Sequence, residues 1–373
     1  MQSLKDARPA LRGEKTTRPP NAQHARQPSF GHRVEYALAW LVLKTLEIMP
    51  LSLARLACAG LASLSYWLWP RLRKTGTINL RIAFPEWSEA HRRRILRGEF
   101  LTLGRMLADF AHFPHLNREN IERLIIYDGF ENFARAQRQG RGVLLLTAHF
   151  GNWELGSFAH GVYGHPCNFV VREMDNPLLD RLINRYRSAS GGRPIEKKDF
   201  ARGVLRALRR GESVGVLMDQ NMLPDEGIFV NFFGLPACTT AGPARIARKA
   251  GAPVVLGLVI WDRQLRKYRL HFDAVEWIRR PNPEEEIAAN TANFTLVIEQ
   301  YVRRYADQWL WVHRRWNSMY STPWKTPSCR TSIPFSTTGM IGFPHSCAMP
   351  ISCCTYAELM LAVVMSASTA WQR

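Results

Sequence analysis

Four short apolar runs, residues 143–148, 168–172, 213–218 and 253–261, alternate with stretches of helical periodicity at 153–162, 178–189, 200–210 and 242–250. Runs this short, bounded by turn residues, suit buried strands. Strands that alternate with helices assemble into a sheet of mostly parallel strands with helices packed against it. The spacing therefore predicts an α/β fold with a mostly parallel central sheet flanked by helices. Residues 268–272 alternate as a further strand, and 284–306 read as a long amphipathic helix closing the domain. Residues 78–115 read as helical throughout and are expected to pack on the sheet from the N-terminal side.

In sheets of this kind, function gathers at the carboxyl ends of the strands. The first run ends in His149-Phe150-Gly151-Asn152-Trp153-Glu154. Gly151 weakens a helix there and Asn152 is a good N-cap, so His149 should end a strand and Glu154 should start a helix. Five residues apart on a continuous helix the two would diverge, but across a turn their side chains can converge. The pair is then either a buried histidine satisfied by a carboxylate or a histidine held as a base by its acidic partner. The second run ends at Arg172 and the third at Asp219-Gln220-Asn221. Each feature alone reads equally well as a salt-bridge partner or a turn; together they put a base, a cation and an acid/amide pair on one rim.

The chain carries 50 Lys and Arg against 31 Asp and Glu, a formal charge of +19. Such a surplus favours anionic partners. No zinc-finger, homeodomain or RNP pattern accompanies it, so nucleic acid is not an expected partner. The membrane surface fits better, because apolar and aromatic segments lie beside the basic ones. Residues 51–69 hold a single charge, Arg55, and end in Tyr66-Trp67-Leu68-Trp69 followed by Arg71, Arg73 and Lys74. Aromatic then basic residues at the end of an apolar helix suit a membrane interface. Residues 1–32 read as a disordered basic leader and 33–75 as a membrane-associated helical segment, its apolar stretch near the lower length limit for a transmembrane helix, with a core hairpin of helices as the other reading. The body, 76–317, is expected to form the domain that carries this rim; 318–373, rich in Ser, Thr, Pro and Cys, reads as an out-of-frame or disordered tail. The seven cysteines form no C-x2-C pair, which argues against a zinc site or a disulfide framework and for a reducing compartment.

The strand–turn–helix text Leu145-Leu146-Thr147-Ala148-His149-Phe150-Gly151-Asn152-Trp153-Glu154-Leu155 resembles the bacterial lipid A biosynthesis lauroyl/myristoyl acyltransferases, within the glycerolipid acyltransferase superfamily. So do Val170-Val171-Arg172, Met218-Asp219-Gln220, Phe232-Phe233-Gly234-Leu235-Pro236, Thr239, the upstream Asn79-Leu80-Arg81-Ile82-Ala83-Phe84-Pro85 and the closing His313-Arg314-Arg315-Trp316. The resemblance spans about residues 34–317. It implies a glycerol-3-phosphate acyltransferase-like fold and transfer of a fatty acyl group from acyl carrier protein, or coenzyme A, to a hydroxyl of a lipid A precursor. It implies His149 as general base with Glu154 fixing its tautomer, and Arg172 as oxyanion donor or grip on an acceptor phosphate. Asp219 and Gln220 would organise the acceptor or support the site, Phe233-Gly234 would shape an acyl groove, and Thr239 would join the substrate contacts. No cofactor or metal is called for. The protein would sit at the bacterial inner membrane with its catalytic domain on the cytoplasmic face.

Two other readings fit the same residues. One is an acyltransferase of the same superfamily acting on another phospholipid or glycolipid. The other is a membrane-associated binding protein that keeps the fold without turnover. Metal-dependent hydrolysis needs three convergent ligands, and His160 and His165 fall late in, or beyond, the helix after His149.

Overall fold

The computed structural model describes residues 27–196 and 199–321, except for the side chains of residues 320 and 321. Most of the basic leader and the tail from residue 322 onward lie outside the described residues. The N-terminal part is helical: α1 (Phe30–Ile48), α2 (Leu51–Leu68), α3 (Pro70–Ala83) and α4 (Glu89–Ala111). Ser29 caps α1 by accepting from the His32 backbone N–H, so the first helix starts slightly before the expected boundary. The expected continuous helix over 78–115 is broken at residues 84–88. Pro85 cannot continue the hydrogen-bond ladder, and Ser88 restarts it by accepting from His91 N.

The body of the chain follows as β1 (Ile125–Asp128), α5 (Phe130–Gln137), β2 (Val143–Thr147), α6 (Trp153–Val162), β3 (Cys167–Val171) and α7 (Pro177–Ser188). Next come β4 (Pro194–Glu196), α8 (Phe200–Arg209), β5 (Ser213–Leu217), β6 (Ile228–Phe232), β7 (Leu235–Thr239) and α9 (Gly242–Ala250). The chain closes with β8 (Val254–Asp262), β9 (Lys267–Ala274), α10 (Pro283–Arg304) and α11 (Asn317–Ser321). Seven strands form one sheet in the order β1-β9-β8-β2-β5-β3-β4. Strands β8, β2, β5, β3 and β4 run parallel; β9 pairs antiparallel with β8 and carries β1 beside it. The expected mostly parallel sheet flanked by helices is the sheet observed. The central strand β2 is apolar on both faces because helices cover both, as its run of buried Val143, Leu144, Leu145 and Leu146 anticipates.

Residues 228–239, read from sequence as part of a loop, form a separate hairpin of β6 and β7. Its two-residue turn is Phe233-Gly234, with φ of 57° and 79°. Positive φ at both positions matches the twist of the flanking strands. It is unfavourable for phenylalanine. Burial offsets that cost: the Phe233 ring packs edge-on against Phe84 and Trp311.

Helix α2 is long and apolar enough to cross a membrane by length and composition. It runs antiparallel along α4, with Tyr66 against Phe100 at one end and Arg55 on Asp109 at the other. Its small residues Ala54, Cys58 and Ala62 face α4. The two backbones come so close that a Cβ at Gly104 would stand 2.7 Å from the Cys58 carbonyl oxygen. The opposite face of α2, with Leu53, Leu56, Leu64, Trp67 and Leu68, is exposed.

Candidate active site

The register of β2 on β5 pairs Thr147 with Leu217. Two residues further on, His149 and Asp219 leave the same edge of the sheet side by side. His149 Nδ1 lies 2.8 Å from Asp219 Oδ1, while Asp219 Oδ2 accepts from the His149 backbone N–H at 2.9 Å and from Trp309 Nε1 at 2.7 Å. Both side chains are buried. Burial alone would raise the Asp219 carboxyl, but the facing imidazole and these three donors outweigh it and hold it at about 2. An ionised carboxylate at Nδ1 fixes the proton there, which leaves the Nε2 lone pair for chemistry. The Gln220 amide nitrogen stands 3.4 Å from that Nε2.

Glu154 is not the partner of His149. It sits in the first turn of α6, buried, and accepts a two-pronged ion pair from Arg187 of α7, at 2.8 Å from Nε and 2.6 Å from Nη2. Gly151, at φ +59°, reverses the chain so that the strand end aims His149 at β5 while the new helix aims Glu154 at α7. Strand, turn and helix are where the sequence placed them, and Asn152 caps α6 by accepting from Leu155 N. The direction of the carboxylate differs. Asn152 also donates to Asp109 at 3.0 Å, and Asp109 in turn accepts from Tyr268 and Arg55. This buried carboxylate of α4 anchors the turn from behind.

Gly151 has no room for a side chain, since a Cβ would fall 1.6 Å from the Val259 carbonyl oxygen. Gly151→Ala is therefore expected to destabilise the fold by about 3 kcal/mol or more, through clash and disfavoured φ together. Thermal unfolding measures this; an unchanged melting temperature would mean that the turn can open without cost.

The segment after α10 closes the site, and residue-by-residue reading missed it. The Trp309 indole reaches Asp219, and Leu310 N donates to the His149 carbonyl. His313 Nε2 accepts from Asn221 N at 2.9 Å; burial first, then the nearby His149, pushes its imidazole down to about 3, so it is neutral. Arg315 is fully buried and donates to the carbonyls of Gln220 and Cys238 and to Thr239 Oγ1. Burial lowers its guanidinium only to about 10, so it stays a cation at neutral pH. The signal for these roles was the closing His313-Arg314-Arg315-Trp316 text, but nothing in it says which strand ends it meets.

The other expected contacts divide. Arg172 follows β3 on the same edge as His149, exposed to solvent. Phe233, Gly234 and Thr239 are not on that rim. Phe233 is buried in the aromatic core and its backbone N–H donates to Glu299, so it lines no open groove. Gly234 is the exposed hairpin tip. Thr239 is buried as an acceptor for Arg315. Hairpin residues turn inward here because β6 and β7 pack their aromatic side onto Trp309 and Trp316. Among the described residues, no three His, Cys, Asp or Glu side chains converge as a metal ligand set.

Comparison with known proteins places the chain beside one family. The family model described as bacterial lipid A biosynthesis acyltransferase matches residues 24–318. The lipid A biosynthesis lauroyltransferase of Escherichia coli (strain K12) is 30% identical over 288 residues, which cover 76% of this chain and 92% of the relative. The palmitoleoyltransferase of the same organism is 29% identical, covering 64% and 77%, and its myristoyltransferase is 24% identical, covering 64% and 73%.

Proposed function

The chain belongs to the bacterial lipid A biosynthesis acyltransferase family, and from that premise we propose that His149 is the general base for acylation of a lipid A precursor's hydroxyl. An alcohol is a weak nucleophile at neutral pH and needs its proton removed as it attacks. His149 Nε2 takes that proton while the oxygen bonds to the thioester carbon. Collapse of the tetrahedral intermediate breaks the carbon–sulfur bond, and the imidazolium returns the proton to the leaving thiolate. Asp219 is the positioning residue: it holds the tautomer and stabilises the imidazolium, as the acid does in a Ser-His-Asp triad. The acceptor hydroxyl fills the serine's place, so no acyl-enzyme forms. Gln220 and Arg172 are the candidates to meet the oxyanion, where one donor contributes about 3–4 kcal/mol. The observation that carries this reading is the buried 2.8 Å His149–Asp219 pair, with a third donor from Trp309 locking the carboxylate.

The donor in this reading is an acyl thioester of acyl carrier protein, which suits the net charge of +19. The α1–α2 hairpin lies in the interface of the inner membrane, on its cytoplasmic face. Its outer side offers Trp40, Leu41, Leu56 and Trp67, whereas its inner side packs on α4, which carries Arg93, Arg94, Arg97 and Arg105. A helix held along so charged a neighbour lies in the interface plane rather than crossing the bilayer.

The test is purified protein in detergent with acyl carrier thioester and a phosphorylated disaccharide lipid A precursor, followed by mass spectrometry. The acceptor is expected to gain the mass of one acyl group, and His149→Ala to abolish the gain. Acylation of a glycerophospholipid in preference to the disaccharide would reassign the substrate. Full function of His149→Ala in cells would favour a binding role instead.

A further inference from the structure

An open cleft of about 1450 Å³ lies between α4, the β8–β9 turn and the C-terminal end of α10. Seven arginines line it, at 93, 94, 97, 263, 269, 303 and 304, against two aspartates, Asp262 and Asp307. Three of the cations have carboxylates: Arg263 pairs with Asp307, Arg269 with Asp262 and Arg303 with Glu299. Arg93, Arg94, Arg97 and Arg304 have no carboxylate partner within salt-bridge distance among the described residues. Four like charges gathered around one concavity repel one another, and an oxyanion in the cleft relieves that repulsion.

The cleft continues into the apolar outer face of the N-terminal hairpin. Leu101 of α4, 38% exposed, lines the cleft. The Arg97 guanidinium stacks 5.3 Å from the Tyr66 ring and 5.6 Å from the Trp67 ring at the end of α2, and Trp67 is 63% exposed. A single arginine thus belongs both to the cleft and to the aromatic end of the apolar stripe. Aromatic rings beside arginines mark the level where acyl chains give way to headgroups. A soluble acidic protein would approach from water and meet this apolar border unfavourably; a lipid meets both parts of it at once.

We propose that this cleft seats the phosphates of anionic phospholipids in the bilayer whose interface the α1–α2 hairpin occupies. It rests on the interfacial reading of that hairpin. Arg93, Arg97 and Arg304 hold the phosphates, and the seat fixes the tilt of the catalytic edge against the membrane.

Flotation of the full chain with vesicles tests both readings separately. Pure phosphatidylcholine vesicles report the hairpin, and vesicles containing phosphatidylglycerol report the hairpin plus the cleft. The variant Arg93→Glu/Arg97→Glu/Arg304→Glu is expected to lose on the order of 100-fold in binding to the anionic vesicles, since each basic residue near such a surface is worth about fivefold. Its binding to neutral vesicles and its activity on detergent-dispersed substrate should stay at the parent level. Unchanged binding to the anionic vesicles overturns the proposal. So does loss of acyl carrier protein binding with vesicle binding intact, which would make the cleft a protein dock. If the parent fails to bind neutral vesicles, the hairpin reading fails instead. Should the triple variant not fold, Arg93→Gln/Arg304→Gln, which touches two exposed side chains, decides the matter by a loss of about 25-fold or none.

Discussion

Asp219→Asn is expected to lower the turnover number by about 10³–10⁴-fold with KM little changed, because it removes the base's tautomer and not the substrate's contacts. All three groups that meet this carboxylate are donors: His149 Nδ1, the His149 backbone N–H and the Trp309 indole. Asparagine offers one oxygen and one NH2, so a donor must face a donor. If the NH2 faces His149, the imidazole carries its proton on Nε2, where the acceptor hydroxyl's proton has to go. Nitrogen chemical shifts of the His149 ring would register that move, which a merely structural role for Asp219 would not produce. Glu154→Gln is expected to behave differently. It weakens the charge-assisted fork on buried Arg187 and lowers stability, with up to about 3–5 kcal/mol at stake if the partner is removed outright by Glu154→Ala. Turnover per folded molecule should stay within about tenfold. The opposite pattern, a folded but dead Glu154→Gln beside an active Asp219→Asn, would return the orienting role to Glu154.

Acid should unfold this protein early. Burial pushes the His313 and His160 imidazoles down to about 3 each, with His149 and His165 respectively adding to the shift. Above pH about 6.5 both states leave these rings neutral, and stability is independent of their titration. As pH falls from 6.5 toward 3, the unfolded chain binds protons that the folded chain refuses, so stability declines through that window. A shift of this size corresponds to about 5 kcal/mol per ring as an upper value, against a whole-domain stability of about 5–15 kcal/mol. Asp219, held at about 2, adds a loss only below its ordinary range near 4. Urea titrations between pH 7 and pH 4 should show a midpoint that falls steadily. His313→Gln, which keeps an acceptor for Asn221 N, should flatten the slope by about one proton. A midpoint constant over that range would show that the buried rings titrate normally.

Much of the fold was legible because it rests on local periodicity. The strand runs at 143–148, 213–218 and 253–261 lie within a residue or two of β2, β5 and β8, since strands covered on both faces must be apolar at every position. The hairpin of β6 and β7 was not legible. Its turn is Phe233-Gly234, where a phenylalanine stands in a conformation usually left to glycine or asparagine, tolerated because its ring completes the aromatic core. The break before α4 was written in Pro85 and Ser88 but was masked by helical composition on either side.

For the site, the sequence by itself determined which residues stand at the strand ends: His149 after β2, Arg172 after β3, Asp219 and Gln220 after β5. It also determined the turn that starts α6, because Gly151 and Asn152 permit little else there. Which carboxylate faces the histidine was decided only by tertiary structure. Glu154 is five residues away in sequence and Asp219 is seventy, but the parallel register of β2 on β5 sets His149 and Asp219 at one level, while the rotation of α6 turns Glu154 toward Arg187. Sequence spacing measures distance along one chain direction. Strand order and register, fixed by how the whole core packs, choose the neighbour across it.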